Sequence, residues 1–340
     1  MPVILNKQVT FVKNNVAILI INWNSSAVLL HCLECIAKQE SIKPEVFVLD
    51  NSNDDPMAEV YCSRFSSVQF YKSEKNVGFA AGNNLLFQKT KGYEWVALVN
   101  PDAFLEPDWL SKMLSAAIAH PEYSFFASRL VQSVNHEILD GDGDTMHVSG
   151  WAWRQGNFEP VPHDVIKPHE VFSACAAAAL YRRDAFESMG GFDEDFFCYS
   201  EDVDLGFRMR LAGHRCLLVP AAVAYHVGAA TTGDRHGDFA VYHGHRNMVW
   251  TYVKNMPGVL FWLLLPAHIA INLVTIIWFS LNGQVVLILK AKRDALCGIS
   301  RMWEKRRDIQ RKRTASIAEI WNVLNKSPLP RLSQFRRRYF

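Results

Sequence analysis

Apolar runs along this chain stop abruptly at polar loops, and the stops recur in a regular rhythm. Val16–Asn22 is built of Val, Ala, Ile and Leu and ends at Asn22-Trp23-Asn24, as a buried strand feeding a loop does. Glu45–Leu49 ends at Asp50-Asn51-Ser52-Asn53-Asp54-Asp55, Val68–Tyr71 is a short third strand, and Trp95–Val99 ends at Asn100-Pro101-Asp102. Helical stretches fall between them. One follows Ser25 or Ser26, either of which can cap it, and another lies near Leu85–Thr90 after Asn76-Val77-Gly78-Phe79-Ala80-Ala81-Gly82-Asn83-Asn84. This alternation predicts an α/β fold with a parallel, doubly wound sheet.

The pattern then changes. A helix is expected over Trp109–Ala119. Residues 124–180 read as irregular β structure punctuated by Gly141, Gly143, Gly150 and Gly156, and Phe172–Tyr181 is apolar and small. Gly190-Gly191-Phe192-Asp193 is a turn. Glu201–Ala212 is a helix closed by Gly213, and Cys216–Tyr225 is a strand ending at His226. From about residue 257 Leu, Ile, Val and Trp dominate. Val259–Leu281 is long enough to cross a bilayer, but Pro266, His268 and Asn272 interrupt it and a second apolar run, Val285–Leu289, follows. Two helices lying in the membrane interface are the alternative. A buried hairpin in a soluble protein is the plainest reading.

Charge decides among these. The net charge of +2 hides an asymmetry: residues 290–340 carry +11 and residues 1–289 carry −9. An acidic body with a basic tail points to an anionic partner surface. The basic positions (Lys290, Lys292, Arg293, Arg301, Lys305, Arg306, Arg307, Arg311, Lys312, Arg313) directly follow the apolar stretch, which favours lipid over nucleic acid. Each such residue adds roughly 1 kcal/mol of attraction to an anionic leaflet. The seven cysteines are scattered, and no secretory signal is seen before the first strand, so a reducing cytoplasmic setting is expected. Cys32 and Cys35 form a Cys-x-x-Cys pair with no second pair for zinc, and read as structural thiols.

Chemistry is expected where strand ends meet. Open α/β sheets bind ligands at the carboxyl ends of their strands, so Asn22–Asn24, Asp50–Asp55, Asn76–Asn84 and Asn100–Asp102 should converge. Singly, each is ordinary loop chemistry. Asn76–Asn84 is neither a Walker loop nor a dinucleotide fingerprint, although its glycines permit close approach of a ligand. Asp50 could accept a hydrogen bond from a pyrimidine N3–H. Asp102 is a hard oxygen ligand suited to Mg²⁺ or Mn²⁺ holding a phosphate, and His226 beside it would complete a metal site.

Glu201-Asp202-Val203-Asp204 opens a helix, where acids favour the dipole. Asp204 pairs with Arg208 at helical spacing. Glu201 and Asp202 instead follow the aromatic stretch Phe196-Phe197-Cys198-Tyr199, as on the lip of a pocket, where a carboxylate can serve as general base. His236, His243 and His245 are too loosely spaced for zinc and read as loop or substrate-side residues. Asp140, Asp142 and Asp144 alternate like a calcium loop, but Thr145 and Trp151 stand where that loop needs Gly and Glu.

Taken together, these segments resemble family 2 glycosyltransferases of the GT-A fold, especially the rhamnosyltransferase-like branch. The matching segments are Ile20–Asn24, Leu49–Asp54, Asn76–Asn83, Val99–Asp102, Gly190–Glu194, Glu201–Leu205 and His226–Gly228, which span about residues 14–255. Asn-Pro-Asp stands where other members carry Asp-x-Asp, so Asn100 replaces an acid. The resemblance implies a Rossmann-like, mixed and mainly parallel sheet flanked by helices, with a C-terminal membrane-associating helical segment. It implies Asp102 and His226 as metal ligands, Asp202 as the catalytic base and Glu201 as a second catalytic residue. It further implies Asn24, Asp50, Asn76, Gly78, Phe79, Asn83 and Asn100 as nucleotide-sugar contacts, with Mg²⁺ or Mn²⁺ as cofactor.

The expected organisation is a catalytic domain over 14–255 (nucleotide-sugar half 14–105, acceptor half 106–255), membrane-associating helices over 256–325 and a basic tail over 326–340. The expected activity is inverting transfer of a sugar, with dTDP-rhamnose as donor and a UDP-hexose as the alternative. The acceptor is a lipid-linked or cell-surface glycan precursor, met at the cytoplasmic face of the membrane; nucleic acid is not an expected partner. His243-Gly244-His245-Arg246-Asn247 resembles the family's Arg-Asn segment and is assigned no chemistry. A sugar nucleotidyltransferase is a weaker reading, because the loop after the first strand lacks a Gly-rich, Arg- or Lys-bearing sequence. A non-catalytic, membrane-bound sugar-binding protein is disfavoured by Asp102, Asp202 and His226 occurring together.

Overall fold

The computed structural model describes residues 15–52, 55–228 and 237–327. His236, most of the basic tail and the Asn53-Asp54 part of the second strand-end loop lie outside the described residues.

The first half follows the strand–helix rhythm: β1 (Val16–Asn22), α1 (Ser26–Ala37), β2 (Glu45–Asp50), α2 (Pro56–Cys62), β3 (Val68–Lys72), α3 (Gly78–Phe87) and β4 (Trp95–Val99). The chain continues through β5 (Ala103–Leu105), α4 (Trp109–Ala119), β6 (Phe125–Gln132), β7 (Leu139–Asp142), β8 (Asp144–Met146), β9 (Ala152–Arg154), β10 (His169–Val171), β11 (Ala178–Arg182), α5 (Arg183–Ser188), α6 (Glu201–Leu211) and β12 (Cys216–His226). Five helices close it: α7 (Asp238–Asn255), α8 (Gly258–Leu281), α9 (Val285–Cys297), α10 (Ile299–Arg311) and α11 (Ile317–Val323).

The main sheet is mixed. Strands run in the order β10-β12-β6-β11-β4-β1-β2-β3, with β5 added on β12 and β7 on β6. β3, β2, β1 and β4 are mutually parallel, as the alternating pattern requires. β11 is antiparallel to both β4 and β6. The parallel run read from the strand–helix alternation ends at β4, because no helical crossover precedes β11 and the chain returns from the Gly-rich region in the opposite sense, giving the mixed, mainly parallel sheet that the resemblance implied.

β1 is central and buried along all seven residues. Its alternate side chains feed two cores, since successive strand residues point to opposite faces. Val16, Ile18 and Ile20 pack with Leu29, Leu33 and Trp109 on one side; Ala17, Leu19 and Ile21 pack with Ala80, Leu86 and Leu205 on the other. Each fully buried Val, Leu or Ile contributes about 1.5–3 kcal/mol, so this sheet is a firm base for the loops at its carboxyl edge.

Local details depart from expectation. α3 starts at Gly78, seven residues before the predicted stretch, because the Asn-rich loop closes at Asn76 and the small residues after it already form helix. Ser25 precedes α1, but its hydroxyl donates to Asn22 Oδ1 and does not cap. The Asp55 carboxylate from the next strand-end loop accepts the Ser26 N–H at 3.2 Å instead, a charged acceptor at a helix N-terminus.

The C-terminal helices are not an appendage. Phe207 and Leu211 of α6, Trp250 and Tyr252 of α7, Leu260 and Phe261 of α8, Met302 of α10 and Ile320 of α11 share one core. α8 has two distinct faces. Leu260, Phe261, Leu264, His268, Thr275 and Phe279 are buried, whereas Val259, Trp262, Leu263, Ile269, Leu273, Ile277 and Leu281 are exposed. The interrupting polar residues lie inward: His268 Nδ1 donates to Ser149 O at 2.8 Å, and Asn272 accepts from Lys292 Nζ at 2.5 Å.

The basic run is redistributed too. Lys292 and Arg306 are buried. Lys305 pairs with Asp193 and Asp195, and Arg301 with Asp195. Lys292 and Arg306 therefore serve the fold, while Arg301 and Lys305 hold acids of the catalytic domain from a still partly exposed position.

Candidate functional site

The site lies at the carboxyl edge of the parallel strands, in a cleft of about 410 Å³. Its floor begins where β4 stops. Pro101 ends the strand and Asp102 follows, joined to the opposite wall by Val227 N–H donating to Asp102 O at 3.0 Å. β5 pairs antiparallel with β12, which sets His226 opposite Ala103. This register brings His226 Nε2 to 3.3 Å from Asp102 Oδ1. The other ring nitrogen, Nδ1, donates to Asp140 Oδ2 at 2.7 Å, and Asp140 is also paired with Arg154.

Both side chains are nearly buried, Asp102 at 5% exposure and His226 at 3%. Burial opposes a charged imidazole, but the Asp102 and Asp140 carboxylates outweigh it and raise the His226 pKa to about 9. Burial likewise works against an ionised Asp102, and His226 overcomes it and lowers that pKa below the usual carboxylate range. Together they make a charge-matched pair.

These residues fit a hard divalent cation that would displace the Nε2 proton of His226. A carboxylate oxygen and an imidazole nitrogen face each other in a cleft, and Asp140 fixes the ring as an outer carboxylate does for a metal-bound histidine. Among the described residues no group of three His, Cys, Asp or Glu side chains is placed to hold a metal ion. Asp102 and His226 would be the two protein ligands, and a ligand's phosphate oxygens and water would fill the shell.

Asp202 lines the opposite wall, in the first turn of α6. Its carboxylate is aimed by two backbone donors, Ala176 N–H to Oδ2 at 3.2 Å and Val203 N–H to Oδ1 at 2.8 Å. The segment before it is unusual. Phe197, Tyr199 and Ser200 all have positive φ, near +65°, +69° and +65°. Such left-handed residues persist only where surroundings over-determine them. Here Asn247 Nδ2 donates to the carbonyls of Phe196, Cys198 and Tyr199 at 3.0, 2.9 and 2.7 Å, and Arg246 donates to those of Asp195 and Phe196. Beneath the segment Lys254 pairs with Asp193 and Asp204, and Asp204 also takes Arg208 as predicted.

The nucleotide-side residues divide. Asn76, Gly78, Phe79 and Asn100 line the cleft with Asp102, Glu201, Asp202 and His226. Gly78 has φ +86°, and a Cβ there would lie 2.6 Å from Phe197 O, so glycine is required for this crossing of loops. Asn51, also on the wall, ties Asn76 and Gly78 together through its side-chain amide. Asp50, Asn24 and Asn83 are not wall residues. Asp50 lies behind the wall at 1% exposure; its Oδ1 accepts from Asn22 and Ser52 N–H, and its Oδ2 is buried without a partner. Asn24 donates its backbone N–H to Ser52 Oγ, and Asn83 donates to Phe79 O within α3.

Some site residues escaped the sequence reading. Asp140 and Arg154 were passed over, and Asn247 was given no chemistry. The alternation of Asp140, Asp142 and Asp144 was the available signal. Each acid has a polar partner, His226 and Arg154 for Asp140, Arg129 for Asp142 and Ser173 for Asp144. The acids thus hold the cleft's far wall rather than calcium. All seven cysteines are free, and Cys32 is buried.

Residues 17–190 match the model of the family described as Glycosyl transferase family 2. The N-acetylglucosaminyl-diphospho-decaprenol L-rhamnosyltransferase of Mycobacterium tuberculosis is 28% identical over 228 residues, 58% of this chain and 71% of that protein. The rhamnosyltransferase WbbL of Escherichia coli K12 is 26% identical over 193 residues, 54% of this chain and 72% of that protein. Among solved structures, the mannosyltransferase PcManGT from Pyrobaculum calidifontis, in complex with GDP-Man and Mn²⁺, superposes with a TM-score of 0.54 at 13% identity, over 92% of this chain and 88% of that one. That likeness is of fold, and the fold is GT-A.

Proposed function

Because the chain belongs to glycosyl transferase family 2, we propose that it is an inverting glycosyltransferase moving L-rhamnose from dTDP-rhamnose to a hydroxyl of a lipid-linked or cell-surface glycan precursor. The observation that carries this reading is the meeting of Asp102, His226 and Asp202 in one cleft with the Asn51–Asn76–Gly78 wall. The rhamnosyltransferase names of its relatives support the donor, and the decaprenol named for one of them supports a lipid carrier. The catalytic unit is residues 14–255, with 256–325 folded onto it.

Asp202 accepts the proton of the acceptor hydroxyl. The freed oxygen attacks the anomeric carbon, the bond to the leaving phosphate oxygen breaks, and the nucleoside diphosphate departs. One displacement inverts the centre, and no nucleophile from the protein is needed. The backbone donors to Asp202 hold its carboxylate in one orientation, which favours in-line attack. Asp102 and His226 would hold Mg²⁺ or Mn²⁺, which when bound offsets charge on the departing diphosphate. Asn76, Gly78, Phe79 and Asn100 contact the donor, with Asp50 reached from behind the wall and Asn24 and Asn83 shaping the loops around it.

The exposed apolar face of α8 is proposed to meet an anionic membrane surface at the cytoplasmic face, where such an acceptor would reside. Asp202→Asn tests the chemistry. General-base catalysis supplies about 10²–10⁴ in rate, so transfer should fall by that factor while dTDP-rhamnose still shifts the melting temperature. Near-wild-type transfer by the variant would overturn the base.

A further inference from the structure

Glu201 precedes the proposed base and shares the cleft with it, yet the reaction above gives it nothing to do. It is 6% exposed, and its Oε2 is buried without any hydrogen-bond partner. An orphaned polar atom in a native site calls for an explanation. A neighbouring structural role is already filled, since Asp204 anchors Arg208, Lys254 and Asn255 below α6. Glu201 makes no such anchor.

Its chemistry follows from where it sits. Burial is the larger influence and the adjacent Asp202 charge the next; both keep the proton on Glu201 and raise its pKa well above the ordinary carboxylate range. A protonated carboxyl has an O–H donor, which an ionised one lacks. A carboxyl kept neutral takes a different role from the proposed base beside it. Among the described residues Oε2 has no partner, so the acceptor for its proton is assigned to the ligand.

We propose that Glu201 acts as a neutral carboxylic acid that donates a hydrogen bond to a sugar oxygen next to the reacting hydroxyl of the acceptor. The assignment rests on the glycosyl-transfer reading. The oxygen is placed on the acceptor because Asp202, one residue along the same turn, faces the hydroxyl that attacks. An oxygen within reach of both carboxyls belongs to the ring bearing that hydroxyl. Such a contact selects acceptors, since an acceptor without that oxygen leaves the buried donor unmatched.

Three variants test it, with full-length protein, dTDP-rhamnose and a soluble lipid-diphosphate sugar acceptor. Glu201→Gln keeps an N–H donor of similar shape and should stay within about tenfold of wild type in kcat/KM for acceptor. Glu201→Ala should lose about a hundredfold there, through KM for acceptor, with donor KM unchanged. Acceptor binding measured on an Asp202→Asn background should show the same ranking without turnover, which separates this inference from the base assignment. Glu201→Gln as damaged as Glu201→Ala would overturn the neutral-donor role. A rise in donor KM instead would overturn its placement on the acceptor. Equal acceptor binding by all three variants would leave Glu201 a packing residue and sink the proposal.

Discussion

At the scale of single residues, the cleft works by pairing each charge with a specific neighbour. Glu201 has a stability consequence apart from its ligand. Its pKa in the folded chain lies above that of an unfolded glutamate, so the fold retains a proton that the unfolded chain releases. The associated stability is complete below about pH 4.5 and drains away as pH rises toward the folded value, at up to about 1.4 kcal/mol per pH unit. Glu201→Gln removes the proton from this balance. Its melting temperature should therefore gain on wild type as pH climbs from 5 to 8, and equal curves across that range would mean the carboxyl is not held neutral. Asp140 allows a second prediction. It fixes the His226 ring from behind, and losing such a partner typically costs 10–100-fold in metal affinity. Asp140→Ala should weaken Mn²⁺ binding, read by calorimetry in the presence of dTDP, by about that factor; unchanged affinity would remove His226 from the ligand set.

At the scale of elements, the catalytic turn is held from outside itself. Residues 196–200 carry three left-handed conformations, each unfavourable for a residue with a side chain. Asn247 of α7 stabilises them with three carbonyl contacts, worth about 1 kcal/mol each. Asn247→Ala should destabilise the chain by about 2–4 kcal/mol in denaturant melts and lower kcat more than donor affinity, because the turn aims Asp202. A fall in donor affinity alone would contradict this.

The sequence showed where the elements and strand ends are, since buried parallel strands announce themselves by apolar runs that stop at polar loops. Asp102 and His226 stand at or beside such stops, and Asp202 opens a helix after an aromatic segment. Asn247 was hidden in mid-helix, 48 to 51 residues from the carbonyls that it ties, and no local pattern marks a contact of that range. The reversal at β11 was hidden likewise, because a short apolar strand looks the same in either direction.

At the scale of the whole molecule, the proposed membrane contact of the C-terminal helices is peripheral rather than spanning. α8 has 24 residues and is long and apolar enough to span one. Its geometry argues otherwise. A spanning helix turns every side to lipid or to other spans, but α8 packs one side along a water-exposed catalytic domain, hydrogen-bonds its His268 to Ser149 there and takes Lys292 of α9 on its Asn272. Lifting it into the bilayer would strip Lys292 and Ser149 of those partners and open the core that holds Tyr252 and Phe261, a cost that the exposed apolar stripe need not incur if it lies flat. The cleft adds a reason: Phe279, on the inner side of α8, is one of its wall residues, while Ile277 and Leu281 lie on the outer side. A flat helix would keep a lipid-borne acceptor one helix thickness from Asp202. Changing Trp262, Ile277 and Leu281 together to Ser should abolish co-sedimentation with anionic vesicles. Transfer to a soluble acceptor should persist, and the melting temperature should be little altered, because these side chains are outside the core. Wild-type protein should leave membranes in a carbonate wash. Retention through that wash would establish a span, and vesicle binding by the triple variant would move the docking surface elsewhere.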